Sequence, residues 1–196
     1  MEMIFATKNK GKIKEIKQIL PDFDILSMED AGISIDIIED GKTFIENAIK
    51  KASEIAKISG KIALADDSGL EIDFLNGTPG IHSARYLGEN TPYVKKNNHI
   101  LHEMENVPEQ QRTARFVCAI AAVFPNGKII TAQDTIEGRI AFESKGTNGF
   151  GYDPIFFVPE LGKTTAELSP EQKNAISHRG KALQKMKQLL LQEEVH

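Results

Sequence analysis

Apolar positions along this chain change their spacing several times, and each change marks an element. Met3 to Ala6 is a short apolar run, read as a first strand. The polar stretch TKNKGK interrupts it. KIKEIKQIL then places Ile13, Ile16, Ile19 and Leu20 on one face of a helix. FDILSM reads as a short strand, and the looser AGISIDIIEDG leads into the clearest helix. There TFIENAIKKASEIAKIS sets Ile45, Ala48, Ile49, Ala52, Ile55 and Ala56 in a single stripe. Thr43 with Glu46 three residues on has the form of a capping box. IALAD predicts a strand, DDSG a turn, and LEIDF a second strand with alternating burial.

Turn residues dominate LNGTPG, read as a loop. TPYVKKNNHILHEM predicts a helix with Thr91 as cap and Pro92 at the first helical position. ARFVCAIAAVF and KIITAQDTI flank Pro-Asn-Gly, a hairpin signature. GTNGFGYDP is glycine-rich and IFFVP is a further strand. SPEQ offers Ser169 as cap, Pro170 at the first helical position and Gln172 to close a capping box. Gly180 disfavours one long helix through ISHRGKAL, so two helical pieces with a break near Ser177 and His178 are expected. The tail KALQKMKQLLL is amphipathic and helical. Helices and strands mix, with one antiparallel hairpin, which predicts an α/β protein with a mixed sheet. No repeat or linker interrupts residues 1–196, so one domain is expected, or two closely packed lobes.

Composition removes several classes of function. The net charge of −4 argues against broad attraction to nucleic acid or an anionic membrane. No stretch approaches the ~20 apolar residues of a spanning helix. MEMIFATKNK lacks the pattern of a signal peptide, so the cytoplasm is the expected setting. The single cysteine, Cys118, lies in FVCAIAAVF and reads as a small core residue.

Five stretches carry candidate chemistry, each with a plainer alternative. In ATKNKGK, Lys8, Lys10 and Lys12 cluster between a strand and a helix start, which suits phosphate; the alternative is a solvated basic loop. It is no P-loop, since Ala6 and Ile13 stand where glycine and Ser/Thr belong. Glu39 and Asp40 precede the capping box: acidic residues favour a helix start, but Glu39 could ligate a metal. Asp66 and Asp67 could hold Mg²⁺ or activate water, or could simply shape an Asp-rich turn. Phe150 and Tyr152 could stack on a nucleobase, with Asp153 accepting hydrogen bonds, or both rings could be core. Lys173, His178 and Arg179 near a helix break offer cationic donors to an anion or a carbonyl-bearing base. His82, His99, His102 and His196 show no metal spacing, and His99 and His102 are expected on a helix surface.

An anion loop, carboxylates, a stacking loop and polar donors are the parts of a nucleotide enzyme. ATKNKGK, EDGKTFIENA, ADDSGLEID, NGTPGIHSARY, GFGYDPIFF and KNAISHRG occur in the order seen in the inosine triphosphate pyrophosphatase family. The chain resembles that family from about its first strand to its last helix. The resemblance implies an elongated two-lobed α/β fold with a central mixed sheet flanked by helices and a nucleotide cleft between the lobes. It implies hydrolysis of dITP, ITP and XTP to the monophosphate and pyrophosphate with Mg²⁺, by a homodimer. Residue by residue, it assigns Thr7, Lys8, Asn9, Lys10, Gly11 and Lys12 to phosphate binding and Glu39 to the metal. It makes Asp67 both metal contact and general base, and Ser68 a substrate contact. Phe150, Gly151, Tyr152 and Asp153 become the base loop, with Lys173, His178 and Arg179 as further nucleotide contacts. Lys51 and Arg85 align with cationic positions near the phosphates. Lys8 and Asn148 depart from the family's usual small residue and glycine.

The expected mechanism has Asp67 direct a water at the α-phosphorus while Phe150 and Tyr152 sandwich the purine. Donors from His178, Arg179 or nearby backbone would face O6 and so reject the amino group of adenine. The rival expectations are a pyrophosphatase for pyrimidine or other modified nucleotides, and a non-catalytic nucleotide-binding module.

Overall fold

In the computed structural model, which describes residues 2–194, the apolar runs pair into one seven-stranded sheet. His196 lies outside the described residues. The strands are β1 (Glu2–Phe5), β2 (Asp24–Ser27), β3 (Ile62–Ile72), β4 (Thr113–Val123), β5 (Ile129–Ile140), β6 (Phe156–Val158) and β7 (Lys163–Thr164). Their order across the sheet is β2-β1-β3-β4-β5-β6-β7. β1 runs parallel to β2 and β3, whereas β6 is antiparallel to both β5 and β7, so the sheet is mixed as expected. β4 and β5 are joined by the short loop around Pro125, Asn126 and Gly127, where Phe124 N–H donates to Lys128 O at 2.9 Å. A connection that short permits only an antiparallel return. The helices are α1 (Lys10–Ile19), α2 (Phe44–Ser59), α3 (Tyr93–Glu103), α4 (Pro170–Ile176) and α5 (His178–Glu194).

The chain divides into two compact units. The first comprises Met1–Asp67, Cys118–Asp134 and His178–His196. Its core follows from the alternation of strand side chains. Met3, Phe5 and Leu64 face one way, onto Ile16 and Leu20 of the α1 region and Leu183, Met186 and Leu190 of α5. Ile4, Ala63 and Ala65 face the other way, onto Ala48, Ala52 and Ile55 of α2. A strand buried on both faces reads as an unbroken apolar run, which is why MIFA shows no alternation. Cys118 is buried in the first of these clusters, as its apolar setting predicted.

The second unit comprises Ser68–Val117 and Thr135–Ser177. Its core gathers Leu70, Ile72, Ile100, Phe116, Ile136, Tyr152 and Phe156. Arg112 is almost wholly buried beside it. Its guanidinium donates to Ile140 O at 2.8 Å, Ala141 O at 2.7 Å, Val107 O at 3.3 Å and also to Met104 O. One cation thus ties together the carbonyls of two chain segments, 104–107 and 140–141.

Several local expectations hold. Ser169 accepts from Gln172 N–H while the Gln172 side chain accepts from Ser169 N–H, completing the capping box. The break between α4 and α5 falls at Ser177, whose extended ψ of 154° ends the helix. Others do not hold. α1 begins at Lys10, three residues before the apolar stripe opens at Ile13, because Asn9 caps it. Pro92 rather than Thr91 occupies the cap of α3, and Tyr93 is its first residue. The turn expected at DDSG is absent: β3 runs unbroken from Ile62 to Ile72. Asp, Ser and Gly favour turns, but here each aspartate meets partners from distant helices that hold the strand extended.

Arg112→Met should destabilise the protein by about 3 kcal/mol or more, since each buried carbonyl left unmet costs roughly 1–3 kcal/mol. Urea denaturation of the two proteins measures it.

Candidate functional site

Neighbouring residues on a strand point to opposite faces. Asp66 and Asp67 are adjacent on β3, so their carboxylates part company. Asp66 turns toward α1 and α5. Its Oδ2 lies 3.0 Å from Lys12 Nζ, 3.3 Å from Arg179 Nε and 3.2 Å from Arg179 Nη2. Arg179 also donates to Glu15 of α1. Burial pushes the Asp66 carboxyl up, but Lys12, Arg179 and Lys51 outweigh it and hold it well below the usual carboxylate range. Burial likewise opposes the charge on Arg179, and Asp66 and Glu15 more than restore it.

Asp67 turns toward α2. Its Oδ2 accepts from Asn47 Nδ2 at 3.0 Å, and its Oδ1 lies 3.6 Å from Lys51 Nζ. Asn47 and Lys51 are one helical turn apart and so share a face. Lys51 Nζ donates to Glu39 Oε1 at 2.7 Å from the loop before α2. Here burial is the largest influence and Glu39's charge adds to it; Lys51, Lys12 and Asn47 do not cancel them, so the Asp67 carboxyl lies above its ordinary value. Lys51 is held protonated by Asp67, Asp66 and Glu39 despite its own burial.

Lys51's ammonium therefore stands between two carboxylates, Glu39 and Asp67, where a hard cation would also be held. Mg²⁺ characteristically takes one or two protein carboxylates together with water and substrate phosphates. The oxygen-only donor set fits such an ion. Among the described residues no group of three or more His, Cys, Asp or Glu side chains gathers at metal-binding distance, so a cation here would depend on water and substrate for its remaining ligands.

The loop Thr7 to Lys12 is locally self-satisfied. Asn9 Oδ1 accepts from the N–H groups of Gly11 at 2.9 Å and Lys12 at 3.2 Å, and Thr7 Oγ1 accepts from Asn9 N–H at 3.2 Å. An anion at the start of α1 must compete with Asn9 for those donors. Lys12 is turned inward to Asp66, while Lys8 and Lys10 are exposed and Lys8 pairs with exposed Asp36.

The second unit holds the aromatic loop. Gly149 has φ 73°, and a Cβ there would stand 2.1 Å from Asp153 Oδ2. Both Asp153 oxygens are committed within the unit. Oδ2 accepts from Lys173 Nζ at 2.7 Å and Phe150 N–H at 2.8 Å, and Oδ1 from Thr165 Oγ1 at 2.8 Å. Lys173 Nζ also lies 4.8 Å from the Phe150 ring centroid. Phe150 is half-buried. Tyr152 is core: its hydroxyl donates to Ser83 O at 2.7 Å and its ring meets Tyr93 edge-on at 5.2 Å. The expected sandwich of Phe150 and Tyr152 is therefore corrected, because tertiary partners occupy the tyrosine. Gly151 O accepts from Asn97 Nδ2 at 3.1 Å. Asn148, which departs from a family glycine, bonds through its N–H to Ala166 O and through Nδ2 to Leu168 O.

The structure thus brings Glu39, Lys51 and Asp67 together, and separately Phe150, Asp153 and Lys173. Arg179 is not a free donor but the partner of Asp66 and Glu15. His178 opens α5 and is buried, Arg85 ends a short 3-10 helix, and Ser68 follows Asp67 on β3. His99 and His102 lie on α3 beside Glu103 and Glu105, as expected of a helix surface. Asn47 and Asn97 escaped the reading of the sequence. For Asn47 a signal existed, a polar residue four before Lys51 on the face of α2 that ends in buried Ile55.

Residues 3–189 match the model of the Ham1 family. Among curated relatives, the dITP/XTP pyrophosphatase of Clostridium perfringens is 53% identical over 194 residues, 95% of each chain. That of Desulforamulus reducens is 48% identical, covering 100% of this chain and 98% of its own. The Ham1 protein of Staphylococcus aureus superposes with a TM-score of 0.88 at 44% identity, covering 98% of this chain and 100% of its own. A HAM1 protein of Coxiella burnetii gives 0.88 at 42%, covering 98% and 99%.

The two aspartates should answer substitution with opposite signs. A carboxyl depressed in the folded state stabilises above its unfolded pKa, about 3.9, and that stability is lost as pH falls through the folded value. A carboxyl raised in the folded state stabilises fully below its unfolded pKa, and loses that contribution as pH rises through the folded value. With chelator present at near-neutral pH, Asp66→Asn should lose about 3–5 kcal/mol, the cost of breaking a buried ion network. Asp67→Asn should hold or gain about 0.5–2 kcal/mol. Denaturant titrations in neutral and acid buffer measure both.

Proposed function

This chain belongs to the Ham1 family, and we propose that it hydrolyses dITP, ITP and XTP to the monophosphate and pyrophosphate, removing deaminated purines from the nucleotide pool. The arrangement that supports this best is Lys51 between Glu39 and Asp67, with the Asp67 carboxyl raised by burial. Mg²⁺ is the ion proposed for Glu39 and Asp67; when bound it supplies charge neutralisation for the phosphoryl oxygens. Lys51 keeps the two carboxylates from repelling each other before substrate enters.

Asp67 orients a water by a hydrogen bond and accepts its proton as oxygen attacks the α-phosphorus. A carboxyl raised by burial is a stronger base than a free one, which suits that task. The bond from the α-phosphorus to the bridging oxygen breaks, and pyrophosphate leaves. Exposed Lys8 and Lys10 meet the polyphosphate. Phe150 offers one face to the purine, while Lys173 and Asp153 hold the loop behind it. A donor to O6, from His178 or the loop backbone, favours hypoxanthine and xanthine over adenine, whose amino group would meet that donor. Arg179 enters as the holder of Asp66. A homodimer in the cytoplasm completes the proposal, on the strength of the resemblance.

Incubation with Mg²⁺ and ITP, dITP, XTP, ATP, GTP or pyrimidine triphosphates, with products identified, tests this. The first three should give monophosphate and pyrophosphate fastest. Inosine diphosphate with phosphate as products would refute the cleavage position, and equal turnover of ATP the specificity. Asp67→Asn should lower kcat by about 10²–10⁴-fold, the usual contribution of a general base.

A further inference from the structure

Asn47 is fully buried on α2, in a helix stripe that is apolar apart from it and Lys51, and both ends of its amide are engaged by different elements. Oδ1 accepts from Gly41 N–H at 2.8 Å. Nδ2 donates to Asp67 Oδ2 at 3.0 Å. The orientation is fixed by those partners: turned over, the amide would set N–H against N–H and oxygen against carboxylate.

Gly41 shows how close the approach is. A Cβ at that position would stand 2.6 Å from Asn47 Oδ1 and 2.9 Å from Glu46 Cβ. The next residue is tied as well, since Lys42 N–H donates to Glu46 Oε2 at 2.6 Å. The loop that carries Glu39 is therefore strapped to the first turn of α2, and Asn47 passes that fixed position on to Asp67.

We propose that Asn47 is a positioning residue that sets both carboxylates of the site from one amide. The inference rests on the hydrolase reading above. Its consequence lies in the choice of oxygen. With Oδ2 held by Asn47, Oδ1 is the Asp67 oxygen that would hold a cation or direct a water, and Lys51 stays 3.6 Å from that oxygen while it closes to 2.7 Å on Glu39. Released from Asn47, the Asp67 carboxylate is free to rotate and close fully on the Lys51 ammonium, occupying the place where a divalent ion is needed.

A purely structural asparagine would matter only for the loop, through Gly41. Two substitutions separate the roles. Asn47→Asp keeps the acceptor for Gly41 N–H and removes the donor to Asp67. Asn47→Ala removes both. Supporting partners behind metal ligands typically carry about 10–100-fold in affinity or activity. Calorimetric titration with Mg²⁺ alone should show Asn47→Ala binding about 10–100-fold more weakly than wild type. With ITP, both variants should lose kcat by about that factor, with KM little changed. Thermal unfolding confirms that each is folded, and Asn47→Asp, nearly isosteric, carries the kinetic comparison if Asn47→Ala does not fold. An Asn47→Asp enzyme with wild-type kcat overturns the inference, as does wild-type Mg²⁺ affinity in Asn47→Ala. A wild type that binds Mg²⁺ but hydrolyses none of the nucleotides refutes the proposed function instead, and the Mg²⁺ comparison still judges Asn47.

Discussion

A buried strand that carries two adjacent carboxylates is possible only if each is compensated on its own side. Asp66 and Asp67 meet that constraint through the pleat of β3, which sends them to opposite faces. On one face Lys12 and Arg179 answer Asp66; on the other Asn47 and Lys51 answer Asp67. The placement of helices in the first unit follows from this. α1 and α5 supply the cations for one face, and α2 supplies the amide and the ammonium for the other.

The two faces differ in how complete the compensation is. Asp66 has three cations acting on it and sits in a network closed by Glu15. Asp67 shares its nearest cation with Glu39 and remains above its ordinary pKa. A saturated ion network fixes structure, whereas an under-neutralised carboxylate is poised to take a metal ion or a proton. Strand geometry thus divides adjacent residues of the same type into a structural member and the one proposed to react. The second unit repeats the first pattern at Asp153: with Lys173 and Phe150 N–H on one oxygen and Thr165 on the other, that aspartate shapes the loop.

What was legible in the sequence was local. Ser169, Pro170 and Gln172 announce α4 because a capping box is complete within four residues. The stripe of α2 and the apolar run of β1 need only periodicity. The unbroken β3 was not legible, because the partners of its two aspartates come from elsewhere in the chain, Arg179 lying 113 residues from Asp66; judged locally, Asp-Asp-Ser-Gly is a turn. Tyr152 was misjudged for the same reason. Phe150 and Tyr152 look equivalent between glycines, and only Ser83 and Tyr93, from other segments, draw the tyrosine into the core. The family motifs singled out Arg179 and Asp153 as nucleotide contacts; the partners they have in the fold, Asp66 and Glu15 for Arg179 and Lys173 for Asp153, lie too far along the chain for the motifs to show.

Glycine is what allows the two loops to come this close to their carboxylates. At Gly41 the main chain lies against Asn47, and at Gly149 against Asp153, at distances no side chain tolerates. In both places a backbone N–H reaches a side-chain oxygen, Gly41 N–H to Asn47 and Phe150 N–H to Asp153. The two glycines then differ in kind. Gly149 also needs a left-handed φ of 73°, so conformation and space both exclude a side chain there. At Gly41 space alone excludes a side chain, and the nearest atom that one would strike, Asn47 Oδ1, belongs to the amide that holds Asp67. Glu46 Cβ and the Asn47 backbone nitrogen crowd the same position, and through the nearest atom, Asn47 Oδ1, a backbone position with no chemistry of its own is tied to the carboxylate on which the proposed reaction depends.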